Sequence, residues 1–154
     1  MKAPASGLAI VRLKQVALPL SPEMPRAEQV EQQRNAGATF VLSAEGLRPQ
    51  PTMANDSKLI GQLSERGHAG LFLFSSGTSG EPKGMLHDVE ALLERYREVR
   101  PRADRTVQLL LADHIGGLDS AFRTLFSGST LVVPEARTAL SVGEAVERYD
   151  VNIL

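Results

Sequence analysis

An unbroken apolar run, Leu71-Phe-Leu-Phe74, stands directly before the ten residues SSGTSGEPKG at 75–84, and this junction constrains the chain most. Four consecutive apolar residues fit a strand covered on both faces, as strands of parallel sheets are. Small residues let a backbone turn several N–H groups toward one point, which is how oxyanions are held. Gly77, Gly80 and Gly84 supply that freedom, Ser75, Ser76, Thr78 and Ser79 add hydroxyl donors, and Lys83 adds a mobile positive charge suited to phosphate. Pro82 stiffens the base of the loop beside Lys83. Ligands of open α/β sheets bind outside the carboxyl ends of strands, where this loop lies.

The rest of the chain sets the loop in an α/β context. Residues 6–18 carry a pattern between helical and strand-like, and Pro19, Pro22 and Pro25 follow it. Arg26 to Asn35 reads as a helix stopped at Gly37, residues 38–43 as a short buried strand, and Glu45 to Asn55 as an exposed connection. A helix from Asp56 to Arg66 stops at Gly67, and a longer one is expected from His87 to Val99, with Leu92, Leu93 and Tyr96 as its apolar stripe. Thr106–Leu111 and Thr130–Val133 read as strands, Gly117–Phe126 and Val142–Tyr149 as helices, and Val151–Leu154 as the start of a further strand. This alternation predicts an α/β fold with a mainly parallel sheet flanked by helices.

Composition narrows the function classes. With 154 residues, 42% hydrophobic and 23% charged, the chain is an ordinary globular length of sequence. Seventeen basic against eighteen acidic residues leave a net charge of −1, so no broad positive field draws in nucleic acid or an anionic membrane, and any anion site is local. The absence of cysteine excludes disulfides, thiolate metal sites and a cysteine nucleophile. No apolar run approaches the ~20 residues of a membrane span, and Arg12 and Lys14 interrupt the apolar core a signal peptide needs. A mature cytoplasmic chain is expected.

Two well-known phosphate motifs fail. The ATPase loop requires GxxxxGK and then Ser or Thr, but Gly80 follows Gly77 too early and Gly84 follows Lys83, which disfavours a kinase or ATPase. The glycines here do not stand in the full spacing of the dinucleotide fingerprint GxGxxG. A flexible linker fits poorly between LFLF and an amphipathic stretch.

The ten residues SSGTSGEPKG closely resemble the phosphate-binding signature of the adenylate-forming enzymes: acyl- and aryl-CoA ligases, luciferases and nonribosomal peptide synthetase adenylation domains. The resemblance implies that the loop embraces the β- and γ-phosphates of ATP while a carboxylic acid substrate attacks the α-phosphate. The products are an acyl-adenylate and pyrophosphate, and the acyl group then passes to the thiol of coenzyme A or a carrier-protein phosphopantetheine. It gives Thr78, Ser79, Gly80 and Lys83 the role of phosphate contacts, with Ser75, Ser76 and Gly77 completing the nucleotide-binding stretch. The segment 112–134, ADHIGGLDSAFRTLFSGSTLVVP, is similar to the family's next landmark, so that His114 would line the acyl pocket and Gly116 and Gly117 would leave room for substrate. Asp113 either orients that imidazole or faces solvent, His87 resembles a histidine frequent just after the loop, and His68 reads as an exposed turn residue. No two histidines have metal-ligand spacing, so no metal site made of protein ligands alone is expected, and magnesium would arrive with the nucleotide.

The same resemblance implies that residues 1–154 hold only part of an N-terminal AMP-binding domain, because the family's adenine, ribose and catalytic-lysine segments have no counterpart here. No catalytic residue is assigned. Two readings follow: part of an ATP-dependent carboxylate-activating ligase completed by further sequence or a second polypeptide, or a non-catalytic nucleotide-binding or regulatory module. The first predicts an apolar face left open, the second a closed surface.

Overall fold

The computed structural model describes residues 12–51, 57–75 and 82–154. They fall into two units, residues 1–92 and 93–154.

The first unit is organised by its glycine stops. Helix α1 spans Arg26–Asn35 and ends where Gly37 takes a left-handed φ of 65°. Helix α2 spans Lys58–Arg66 and ends at Gly67, also at φ 65°, with the His68 N–H returning to the Leu63 carbonyl at 3.0 Å. Left-handed backbone is strained for any side chain with a Cβ, so these two glycines terminate their helices without strain.

Strand β1 is Val16–Ala17, β2 is Phe40–Ser43 and β3 is Gly46–Pro49. Strand β4 is Gly70–Ser75, β5 is Lys83–Asp88, and the short helix α3 follows at Val89–Glu94. β4 is the central strand of a three-stranded sheet, parallel to β1 and antiparallel to β5. It buries Leu71, Leu73 and Phe74, and Leu63, Ala69, Val89 and Leu92 complete this unit's apolar interior.

The expected mainly parallel sheet is corrected by this arrangement. After Pro82 the chain runs antiparallel beside β4 as β5, and β2 and β3 form a separate antiparallel hairpin. An apolar strand records that it is covered, not the direction of its neighbours. The expected helix from His87 shortens to α3 for the same reason, since residues 83–88 are taken up as β5. Residues 40–43 are a strand but not a buried one, with Phe40 58% exposed, and part of the expected connection is β3.

In the second unit β6 (Arg105–Val107), helix α4 (Ile115–Phe126) and β7 (Thr130–Val132) make a parallel crossover, with Arg105 opposite Thr130. Helix α5 spans Ala139–Tyr149, opened by the Thr138 side chain accepting from the Ser141 N–H. Beyond it Ile153 bridges parallel to Thr106, so the expected final strand is a single bridge. Arg105 braces this return through Asp150 and Asn152. Among the described residues no helix is long and apolar enough to cross a membrane.

Tyr96 anchors the second unit. It is 2% exposed, lies edge-on to Phe122 at 5.6 Å between ring centroids, and donates its hydroxyl to Asp119 Oδ1 at 2.6 Å. Burial first, and then the Asp119 carboxylate, push the phenol up to about 12 from its ordinary 10.0. The folded state therefore favours the neutral phenol, and the stability this confers is complete below pH 10 and lost as pH rises toward 12. The chain has two tyrosines. In an alkaline titration at 295 nm one phenol should ionise only near pH 12, and Tyr96→Phe should abolish that late rise and lower stability by about 1.5 kcal/mol. A wild-type rise complete by about pH 11 would contradict this environment.

Candidate functional site

The hairpin β4–β5 carries the candidate phosphate loop. Its last ladder pair is Ser75 opposite Lys83, and the Ser75 hydroxyl donates to the Lys83 carbonyl at 3.4 Å. The two ends of the loop are thus held side by side, with Pro82 immediately before β5. Ser76, Gly77, Thr78, Ser79 and Gly80 lie outside the described residues. Lys83 is exposed and makes no ion pair among the described residues.

Gly84 belongs to β5, so its part in the loop's freedom gives way to a packing reason. A Cβ there would stand 2.5 Å from Cε1 of Phe72 and 3.4 Å from Cε1 of Phe74. These two rings share one face of β4 at 5.3 Å between centroids, and Phe72 lies over the bare Gly84 backbone. Small size at residue 84 serves the strand pair that supports the loop.

The far end of the same hairpin gathers charge. His68 is half-buried, not an exposed turn residue, and its Nδ1 stands 2.8 Å from Asp88 Oδ2. Asp88 Oδ1 accepts the Ala91 N–H at 3.1 Å. Partial burial raises the Asp88 carboxyl, but the His68 hydrogen bond, the Ala91 N–H and the His68 charge outweigh it and hold the group below its ordinary 3.8. Glu90 accepts the Ala69 N–H at 2.9 Å and pairs with Lys14 at 2.5 Å. Burial raises this carboxyl too, and Lys14 with the backbone N–H groups brings it below its ordinary 4.5. Sequence spacing hides this cluster, because His68 and Asp88 are 20 residues apart and only the pairing of Gly70 with Asp88 joins them. His87 stands opposite Leu71 within β5, with Nε2 buried and unpaired by any hydrogen bond among the described residues.

In the second unit His114 occupies the N-cap of α4, so Gly116 and Gly117 follow in the first helical turn. The His114 side chain is 56% exposed, and its Nε2 lies 3.7 Å from Asp113 Oδ1. The Asp113 side chain is buried, with no hydrogen bond to Oδ1 among the described residues, so it neither faces solvent nor orients the imidazole by a hydrogen bond. Gly116 is open, its nearest neighbour to a new Cβ being Leu110 Cδ1 at 3.8 Å. Gly117 is buried against the chain itself, where a Cβ would fall 1.9 Å from the Leu111 carbonyl oxygen.

Comparison with known proteins bears on what this arrangement serves. The family model described as AMP-binding enzyme matches residues 61–154, more than half of the chain. No curated protein matches the chain significantly. Among solved structures, O-succinylbenzoate coenzyme A synthetase (MenE) from Bacillus subtilis in complex with AMP is similar at a TM-score of 0.57 and 19% identity, over 88% of this chain and 41% of that one. The same synthetase in complex with ATP and magnesium ion gives a TM-score of 0.56 and 19% identity, over 90% and 42%. The chain therefore spans about two fifths of that protein, and at this identity the likeness establishes a shared fold.

Proposed function

The chain belongs to the AMP-binding enzyme family, and on that premise we propose that it supplies the phosphate-gripping part of an ATP-dependent, carboxylate-activating ligase. The observation that carries this reading is the hairpin end, where Ser75 and Lys83 are clamped opposite each other across a loop of glycines and hydroxyl residues. Lys83, exposed and without an ion pair among the described residues, fits a polyphosphate. Thr78, Ser79 and Gly80 would contact the β- and γ-phosphates, with Ser75, Ser76 and Gly77 completing the grip. ATP and its magnesium supply an activated α-phosphate to a carboxylate; His114 and Gly116 would border the acyl group, and Gly117 would set the backbone beneath them. Coenzyme A or a carrier-protein phosphopantetheine is the proposed acceptor, and the remaining segments come from further sequence or a second polypeptide.

Exposed large apolar residues favour this reading over a self-contained regulatory module. Leu110 is 57% exposed, Val133 51% and Leu140 73% within the second unit, where a closed surface would cover them. The reading is tested by titrating ATP with magnesium into the chain by calorimetry. Saturable binding is expected, weakened about tenfold or more in Lys83→Ala and measurably in Thr78→Ala, since a charge-assisted hydrogen bond is worth about 1.5–3 kcal/mol. Binding unchanged in both folded variants would remove the loop from the nucleotide site.

A further inference from the structure

We propose that His68, Asp88 and Glu90 form a binding site for a transition-metal dication of the zinc class, separate from any magnesium that travels with nucleotide. One imidazole and two carboxylates are a donor set that such ions accept, with water in the remaining position. One ligand atom from each of the three residues lies within 4.8 Å of the other two. The set is preorganised by the fold: the pairing of Gly70 with Asp88 fixes the separation of its two halves, and α3 begins at Val89 between the two carboxylates.

Each carboxylate is also oriented from behind. Ala91 N–H holds one Asp88 oxygen and Ala69 N–H holds one Glu90 oxygen. The other oxygen of each is matched by a positive or proton-bearing group: His68 Nδ1 at 2.8 Å on Asp88, and the Lys14 ammonium at 2.5 Å on Glu90. These two groups satisfy the charge that a dication would satisfy. Lys14 is half exposed and can swing into water, and His68 can carry its proton on Nε2 and turn the Nδ1 lone pair inward. A bound zinc would hold the three ligands at roughly 2.0–2.2 Å.

Competition with Lys14 makes the site separable from a chance histidine contact. Zinc titrated by calorimetry into the full chain without nucleotide should bind at one site. His68→Ala and Asp88→Asn should each weaken it by about tenfold or more, Lys14→Ala should tighten it, and His114→Ala should leave it unchanged. Circular dichroism establishes that each variant is folded, and Lys14→Ala keeps all three ligands should His68→Ala fail to fold. Absence of saturable zinc binding, binding that survives in folded Asp88→Asn, loss in His114→Ala, or no tightening in Lys14→Ala would each overturn the proposal. None of these readouts involves the phosphate loop.

Discussion

Gly117→Ala is expected to lower the stability of the second unit by about 3 kcal/mol or more, although alanine is the better helix former by about 1 kcal/mol. A Cβ at this position would fall 1.9 Å from the Leu111 carbonyl oxygen and 2.7 Å from its carbon, and these are backbone atoms. The backbone there has little room to move. Gln108 donates from Nε2 to the Leu110 carbonyl at 2.6 Å and to the Gly117 carbonyl at 3.0 Å, tying the segment after β6 to the first turn of α4. Overpacking against the Leu111 carbonyl, flanked by the tied Leu110 and Gly117 carbonyls, outweighs the gain in helix propensity. Urea unfolding followed by circular dichroism should show a lower midpoint for the variant. A midpoint equal to or above wild type would mean that glycine stands at 117 for room alone, as the sequence suggests, and that the close approach to Leu111 is absent.

The second large effect is expected at Leu73. This side chain is 1% exposed and sits in the middle of β4, the one strand to which both β1 and β5 pair. Leu73→Ala removes buried methyl groups from a strand that cannot collapse freely between two neighbours, and should cost about 2–5 kcal/mol. Because β4 leads into the loop at Ser75, the variant should also bind ATP less well wherever it is partly unfolded. Leu42, 49% exposed in the β2–β3 hairpin, supplies the control: its alanine variant should stay within about 0.5 kcal/mol of wild type. Equal effects at the two positions would contradict the placement of the core.

Much of the chain was legible where the signal is local. Helix α1 has the bounds its composition suggests, and Gly37 and Gly67 stop helices because a left-handed residue is a property of one position. The family was legible in the motif SSGTSGEPKG at 75–84, and the AMP-binding match over residues 61–154 agrees with it. Pairing was not legible. KGMLHD at 83–88 runs from exposed to half-buried along its length, so it lacks the strong alternation of a strand covered on one full face. Its antiparallel pairing with β4 is a property of the fold that no residue of KGMLHD announces. The cluster of His68, Asp88 and Glu90 escaped for the same reason, since it exists only once that register is fixed. Gly117 was expected to leave room for substrate, and in the structure a Cβ there would instead meet the carbonyl oxygen of Leu111.

The most direct test of a loop that grips the β- and γ-phosphates is competition by inorganic pyrophosphate. Pyrophosphate carries two linked phosphates without adenine or ribose, so with magnesium it should displace ATP from the wild-type chain and fail to bind folded Lys83→Ala, while adenosine should displace nothing. Displacement by adenosine but not by pyrophosphate would place the nucleotide by its base, and would contradict a phosphate grip at residues 75–83.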